Sequence, residues 1–93
     1  MTVDRCIRFH RGVFSVRICR RVKTVKDARV LVNWIRENFT DGNNCEFYED
    51  TKRNEQIVQT FKAFRTYREA KKFRDKLEAG LRDRKVRLAK SFQ

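Results

Sequence analysis

The chain contains no proline, only three glycines and a single histidine among its 93 residues. Without proline-rich or glycine-rich stretches no flexible linker is indicated, and the length predicts one domain. No apolar run approaches the roughly 18 residues that a membrane-spanning helix needs. No apolar segment follows the first residues, so a signal peptide is not expected. Three cysteines, an odd number, favour a reducing compartment. These features together predict a cytoplasmic protein without a membrane partner.

Reaction motifs are equally scarce. His10 lies in a predicted turn, without a nucleophile or carboxylate at a motif spacing. The cysteines show no C-x-x-C spacing, so a zinc site is not expected. Glu46, Glu49 and Asp50 form one acidic cluster, whereas a nuclease metal site needs several converging carboxylates. The sequence therefore predicts no enzyme, no metal and no cofactor; a small nuclease or RNA-processing subunit is the less favoured alternative.

Acidic residues are outnumbered two to one. The chain has 24 Lys and Arg against 12 Asp and Glu, a net charge of +12. The excess is +7 over residues 1–40 and +8 over residues 62–93, whereas residues 41–61 carry −3. A surface with this charge is expected to bind a polyanion. Nucleic acid, either DNA or RNA, is the favoured partner, and an acidic protein surface is the alternative.

One eight-residue pattern occurs twice in the chain. Residues 22–29 and residues 64–71, lying 42 positions apart, share the order apolar, basic, Thr, apolar, basic, acid, Ala, basic. A strand-like run precedes each copy and an amphipathic helix follows it, so the sequence predicts two β-β-α repeats. Repeat 1 spans about residues 1–42 and repeat 2 about residues 43–84, within a single domain over residues 1–93.

This organisation predicts an α+β fold. Two repeats give a four- or five-stranded, mainly antiparallel sheet with two helices on one face, related by a pseudo-twofold axis. Residues 85–93 alternate like a final strand but also fit a basic tail. If they form a strand, a ferredoxin-like βαββαβ core with an extra N-terminal strand is the alternative architecture.

The first hairpin has one apolar and one basic side. Strands are expected over Val3–Phe9 and Phe14–Val22, with Gly12 in the turn. Pairing Phe9 with Phe14 places the apolar residues on one face, because side chains alternate along a strand. The other face then carries Cys6, Arg8, Ser15, Arg17, Cys19 and Arg21.

The second hairpin is ambiguous. Strands are expected over Cys45–Asp50 and Glu55–Arg65. One face of the latter carries Ile57, Phe61 and Ala63, and the other carries Val58, Thr60, Lys62 and Phe64. Alternation alone favours the first set as the buried face, whereas the repeat alignment favours the second. A β-bulge near Phe61 would reconcile the two.

Both helices carry start signals. Thr24 and Thr66 are each followed three residues later by an acid, as in a capping box. A glycine or asparagine near Gly42 is expected to end the first helix. Trp34 fits either the edge of a broad buried face or an exposed contact site.

The second helix has unusual charge at its start. Arg68, Lys71, Lys72 and Arg74 are expected outside its first turns, where positive charge opposes the helix dipole. A phosphate bound at this helix N-terminus would relieve that repulsion and accept free N–H groups.

A basic hairpin followed by Thr-x-x-Glu-Ala and an amphipathic helix resembles the small arm-type, AP2-like DNA-binding modules of tyrosine recombinases. The resemblance rests on Gln59–Leu77 and, with less similarity, on Val16–Ile35. It implies a basic sheet face in the DNA major groove, with Arg8, Arg17 and Lys62 at bases or phosphates. The chain departs from that family, since the module has three strands before one helix and the catalytic recombinase segment is not present.

The function predicted from these features is non-enzymatic nucleic-acid binding by a monomer or small homo-oligomer, through phosphate contacts. Exposed Tyr48 and Phe64 would favour single strands by stacking. The alternative is an inhibitor of a phage or mobile element, such as an anti-restriction or anti-CRISPR factor, with Trp34 and Glu46–Asp50 as contacts. The candidate binding residues are Arg8, Arg17, Arg20, Arg21, Lys23, Lys62, Arg65, Arg68, Lys71 and Lys72.

Overall fold

A five-stranded antiparallel sheet forms the centre of the molecule, with strand order β1-β2-β3-β5-β4. The computed structural model describes the backbone of residues 2–40 and 44–91 and the side chains of residues 5–40 and 44–83. Both helices pack on one face of the sheet, so the predicted α+β architecture is confirmed. The elements are β1 (Thr2–Asp4), β2 (Ile7–His10), β3 (Val13–Val22), α1 (Val25–Asn38), β4 (Cys45–Asp50), β5 (Glu55–Phe64) and α2 (Tyr67–Ser91).

The central pair of strands carries the internal symmetry. β3 and β5 begin and end 42 positions apart, and so do the starts of α1 and α2. In the antiparallel pairing of these two strands Ile18 lies opposite Thr60, and these residues are also 42 positions apart. A pseudo-twofold axis therefore passes through this pair. The outer strands do not follow it as closely, because β2 joins β3 through a two-residue turn whereas β4 joins β5 through residues 51–54.

Each helix packs mainly against strands of the other repeat, so the two helices are exchanged over the sheet. α1 follows β3 in the chain but packs against β4 and β5, and α2 follows β5 but packs mainly against β3. One continuous cluster of buried residues fills the space between sheet and helices. Its members are Ile7, Val16, Ile18, Ala28, Leu31, Val32, Ile35, Cys45, Val58, Ala70, Leu77 and Leu81.

The first hairpin adopts the predicted register, with Ile7 opposite Val16 and Phe9 opposite Phe14. Arg11 and Gly12 both have positive φ, 51° and 80°. Two consecutive residues in this region form the type I′ turn whose twist matches a two-residue hairpin. Gly12 takes this conformation at no steric cost, whereas Arg11 carries a side chain into it.

The segment predicted as one strand over Val3–Phe9 forms two strands, β1 and β2. The chain turns at Arg5 and Cys6, where Cys6 has φ of 67°, and β1 folds back to pair with β2. Cys6 therefore lies in a turn rather than on the basic face of the hairpin. This turn is fixed by α2, because Arg74 Nη1 donates a hydrogen bond of 2.9 Å to the carbonyl of Arg5.

Arg74 is buried, although the sequence predicted it on the exposed side of the helix. It is 5% exposed, and Glu78 one turn later is 7% exposed. The Arg5 guanidinium donates to the Glu78 carboxylate, which links the N-terminal turn to the helix a second time. Arg74 falls on the same helical stripe as Ala70, Leu77 and Leu81, which explains its burial. The guanidinium is compensated there by Asp75, with Arg74 Nη2 lying 2.9 Å from Asp75 Oδ1.

The buried face of β5 is the one that the repeat alignment predicted. Val58 and Thr60 are buried on the helix side, whereas Phe61 points to the opposite face. Pairing with β3 is continuous from Gln56 to Phe64, so the bulge suggested near Phe61 is not present. The buried Thr60 hydroxyl lies 3.5 Å from Cys45 Sγ.

The predicted helix caps are confirmed. Thr24 Oγ1 accepts from the backbone N–H of Asp27 at 3.1 Å. Thr66 Oγ1 accepts from the N–H of Glu69 at 3.2 Å and donates to its carboxylate at 2.9 Å. α1 ends at Asn38, and the Phe39 N–H donates to the Ile35 carbonyl. The cap expected at Gly42 lies outside the described residues.

α2 continues to Ser91, so the final strand or tail predicted over residues 85–93 is wrong. The ferredoxin-like alternative depended on that strand and is excluded with it. Residues 92–93 lie outside the described residues. Among the residues described, no helix is both long and apolar enough to cross a membrane.

Gly80 permits a close approach of the two helices. A Cβ at this position would lie 2.9 Å from Cη2 of Trp34 and 3.0 Å from Cζ of Phe39. These two rings contact each other edge to face, with centroids 5.4 Å apart. Trp34 is therefore half-buried at the edge of the core.

We expect Gly80→Ala to lower the free energy of unfolding. Overpacking costs about 1–3 kcal/mol, which exceeds the helix gain of about 0.5–1 kcal/mol for alanine over glycine. Urea denaturation followed by circular dichroism measures the change. In a background that removes both rings, Trp34→Leu with Phe39→Leu, the same substitution should be neutral or stabilising. A higher midpoint for Gly80→Ala in the wild-type background would contradict the close contact.

We expect Arg74→Met to lower the free energy of unfolding by about 3 kcal/mol, because a buried carboxylate loses a cationic neighbour and a carbonyl loses its donor. Arg82→Met on the exposed side of the same helix is the matched control and should change stability by less than about 0.5 kcal/mol. Equal losses in the two variants, measured by urea denaturation, would show that the Arg74 interactions contribute nothing specific.

Candidate nucleic-acid interface

The face of the sheet opposite the helices is open. Strand alternation sends every second side chain of β2, β3, β5 and β4 to this face, and no described helix covers it. Its residues are Arg8, His10, Val13, Ser15, Arg17, Cys19, Arg21, Glu46, Tyr48, Asp50, Glu55, Ile57, Gln59, Phe61 and Ala63. We call this surface the open face.

An aromatic ring and a guanidinium lie together at its centre. Phe61 of β5 is directly opposite Arg17 of β3, and Phe61 remains 39% exposed. The Arg17 Cζ atom lies 5.6 Å from the centroid of the Phe61 ring, within cation–π range. Both side chains come from the two central strands, so the sheet fixes their relative position.

Two shallow clefts flank this pair. The first has a volume of about 280 Å³ and the second about 300 Å³. Arg17 and Phe61 line both clefts and form the wall between them. The first cleft is further lined by Arg5, Cys6, Ile7, Arg8 and Ser15, and the second by Asn44, Glu46 and Gln59. The first cleft is therefore basic, and the second presents amide and carboxylate groups.

The predicted binding residues do not form one continuous surface, which corrects the expectation from the sequence. Arg8, Arg17 and Arg21 lie on the open face, whereas Arg20 and Lys62 point to the helix side. Arg20 and Lys62 occupy equivalent positions of the two repeats. Because β3 and β5 are antiparallel, equivalent positions away from the centre of this pair lie toward opposite ends of the sheet. The remaining residues lie after the strands or on α2, and all are exposed: Lys23, Arg65, Arg68, Lys71 and Lys72.

Lys62 is the clearest displacement from the predicted basic face. It pairs with Val16 on the helix side, and its Nζ lies 5.6 Å from the Phe64 ring centroid and 5.7 Å from that of Phe73. The ammonium thus lies over aromatic rings at the edge of the core. Arg20, on the same side, donates from Nη1 to the Cys19 carbonyl at 3.2 Å.

Arg21 is on the open face but is bound to carboxylates. Its Nη1 donates to Asp50 Oδ2 at 2.8 Å and lies 3.8 Å from Glu55 Oε1. The hydrogen bond from Arg21 holds the pKa of the Asp50 carboxyl below its usual range. The backbone N–H of Lys52 also donates to Asp50, at 3.1 Å. The acidic hairpin end therefore neutralises this arginine, leaving Arg8 and Arg17 as the more accessible cations.

The aromatic prediction is half right. Tyr48 is 46% exposed on the open face, as expected. Phe64 instead packs on the helix side, with its ring centroid 5.3 Å from that of Phe73. Phe61, and not Phe64, is the phenylalanine of β5 that is exposed on the open face. The alternation of β5 contained this signal, but the sequence alone did not decide which set of side chains was buried.

The start of α2 offers little room for the phosphate proposed there. The Glu69 carboxylate already lies at the N-terminus, bonded to the Thr66 hydroxyl, and the Glu69 N–H is satisfied by the same oxygen. A phosphate would have to approach this carboxylate, which opposes it. Lys71 and Lys72 are exposed on the outer side of the helix.

The three cysteines are free in the described structure. Cys45 is buried, and burial raises the pKa of its thiol. Cys19 is exposed on the open face, and Cys6 is half-buried beside the first cleft. Within residues 5–40 and 44–83, no group of three or more His, Cys, Asp or Glu side chains is placed to hold a metal ion.

The Arg21–Asp50 pair predicts a pH-dependent contribution to stability. Because the folded pKa of Asp50 lies below its unfolded value, the contribution is present above about pH 4 and is lost as the pH falls through the folded pKa. Asp50→Asn should lower the melting temperature at pH 7, and the difference from wild type should shrink as the pH falls below about 4 and through the folded pKa. Thermal melts across this range test it, with Glu49→Gln as the control. A difference independent of pH would contradict the assignment.

Comparison with known proteins gives no relative: no family model, no curated protein and no solved structure matches the chain. The resemblance to recombinase arm modules, the nucleic-acid partner, the cytoplasmic location and the oligomeric state therefore stay predictions, and the site geometry is the basis for a functional proposal.

Proposed function

We propose that this chain is a non-enzymatic nucleic-acid-binding protein that holds single-stranded DNA or RNA on the open face. The observation that supports it best is the Phe61–Arg17 pair, an exposed ring beside a guanidinium at the centre of an uncovered sheet. Sheets of this kind bind unpaired bases by stacking them on aromatic side chains.

The first cleft supplies the phosphate contacts. Arg8, directly opposite Ser15, and Arg17, two residues beyond Ser15 on β3, both line it. No described carboxylate lies within ion-pair distance of Arg8. A base stacked on Phe61 would place its own phosphate within reach of these two guanidinium groups. Arginine suits this role because its planar donors match phosphate oxygens.

Single strands fit this face better than duplexes. The ring of Phe61 offers a flat partner to a base only if that base is not already stacked between neighbours. The second exposed ring, Tyr48, lies on the outermost strand of the same face and extends the surface in that direction. A duplex would present its backbone to these rings and gain no stacking.

The helix side contributes at longer range. Arg68, Lys71 and Lys72 are exposed on α2, facing away from the open face. Their field raises the rate of encounter with a polyanion and adds sequence-independent, salt-sensitive attraction.

The inhibitor alternative has Trp34 and Glu46–Asp50 as its contacts. Trp34 is half-buried against Phe39 and Gly80. Asp50 is bound to Arg21, whereas Glu46 stays exposed.

Phe61→Ala tests the proposal. It should weaken binding to a fluorescent single-stranded oligonucleotide by about 5- to 150-fold, the equivalent of about 1–3 kcal/mol for one stacked base. Phe9→Ala is a closely matched control, since Phe9 is 40% exposed and Phe61 39%, but Phe9 lies on the helix side. That control should change affinity less than about twofold. Fluorescence polarisation at two salt concentrations measures both.

A double variant on α2 tests which side of the sheet binds the polyanion. The double charge reversal Lys71→Glu, Lys72→Glu should weaken binding moderately and reduce its salt dependence, without changing the melting temperature, because both side chains are exposed. If this variant abolishes binding while Phe61→Ala binds normally, the nucleic acid lies on the helix side and the open-face proposal is wrong. Loss of folding in the double variant would contradict the exposed placement of these lysines.

A further inference from the structure

The second cleft contains an acid that a surface built only for phosphate would not carry. Glu46 is exposed on the open face, directly opposite Gln59 in the β4–β5 pairing. It lines the same cleft as Phe61 and Arg17. Within the described residues Glu46 forms no ion pair, although it also lines a third cleft together with Arg29 and Arg36 of α1. Asp50 and Glu55 are close to Arg21, and Glu78 is bound to Arg5.

An exposed carboxylate outside an ion pair lowers affinity for a polyanion by repelling its phosphates. The same group becomes favourable when it accepts a hydrogen bond from a base. Carboxylates accept from exocyclic amino groups, such as N4 of cytosine, and cannot accept from the carbonyl at the corresponding position of thymine or uracil.

The position of Glu46 suits this contact. The Phe61 N–H donates to the Asn44 carbonyl at 2.8 Å, so Asn44 lies beside the Phe61 backbone. Gln59 lies two residues before Phe61 on the same face, a separation of about 7 Å along a strand. Glu46 is one strand further out, about 4.8 Å from Gln59 in the direction of strand pairing. Glu46 is therefore a diagonal cross-strand neighbour of Phe61, about 7–8 Å away, and the Glu46 side chain and the edge of a base stacked on Phe61 would span this distance together.

We propose that Glu46 determines base specificity at the Phe61 site and selects bases with an exocyclic amino group over thymine and uracil. Phosphate occupies the basic first cleft, and the base edge points into the second cleft toward Glu46. Gln59 and Asn44 border the same cleft and offer both donors and acceptors to the remaining base atoms. This inference rests on the proposed function.

The test compares oligo(dC) with oligo(dT), two pyrimidine strands with similar rings, by fluorescence polarisation. Wild type should bind oligo(dC) about tenfold more tightly. Glu46→Gln should reduce this ratio to near one, because its amide both donates and accepts. Glu49→Gln removes the same charge from the same strand on the opposite face of the sheet, and should leave the ratio unchanged.

The possible failures can be told apart. If wild type binds neither strand, the proposed function fails and this inference with it. If wild type binds both equally and Phe61→Ala still weakens binding, the function stands and base selection by Glu46 is wrong. If Glu46→Gln tightens binding to both strands by the same factor and leaves their ratio at the wild-type value, Glu46 only repels phosphate, and the inference is overturned.

Discussion

The antiparallel pairing of β3 with β5 is the interaction on which the rest of the structure depends. It places Ile18 against Thr60 on the pseudo-twofold axis and sets which side chains of both strands face the helices. A shift of one residue would exchange the two faces of a strand. The Phe61–Arg17 pair on the open face and the buried Val16 and Val58 on the other are therefore consequences of one register.

Much of the architecture was accessible from the sequence because local signals agreed with one another. The Thr-x-x-acid caps at Thr24 and Thr66 fixed the helix starts, and the repeat of 42 positions related the two halves. The hairpin register followed from a short turn containing Gly12. These features depend on neighbouring residues, which a single sequence displays directly.

The errors arose where tertiary partners decide. Whether Lys62 or Phe61 faces outward depends on the pairing of β5 with β3, which alternation alone does not determine. Arg74 belongs to the buried stripe of α2, although its charge led to the prediction that it is exposed. Its burial depends on the Arg5 carbonyl, which accepts a hydrogen bond from the Arg74 guanidinium and is distant in the sequence. The candidate site was predicted only in part for the same reason. Arg8, Arg17 and Tyr48 are exposed on the sheet, as predicted. The position of Phe61 beside Arg17, and of Glu46 beside Gln59, depends on strands paired across the sheet.

The exchange of helices over the sheet has a consequence for how this chain is divided. Since α1 mainly covers strands of the second half and α2 mainly covers β3 of the first, neither half covers its own hydrophobic surface completely. A fragment ending after α1 would leave the apolar stripe of Ala28, Leu31 and Ile35 in contact with water. Two copies of such a fragment could satisfy each other only by forming across two chains the same symmetric arrangement that the present chain completes within one. The covalent link between the halves thus converts an assembly that would depend on protein concentration into one that does not.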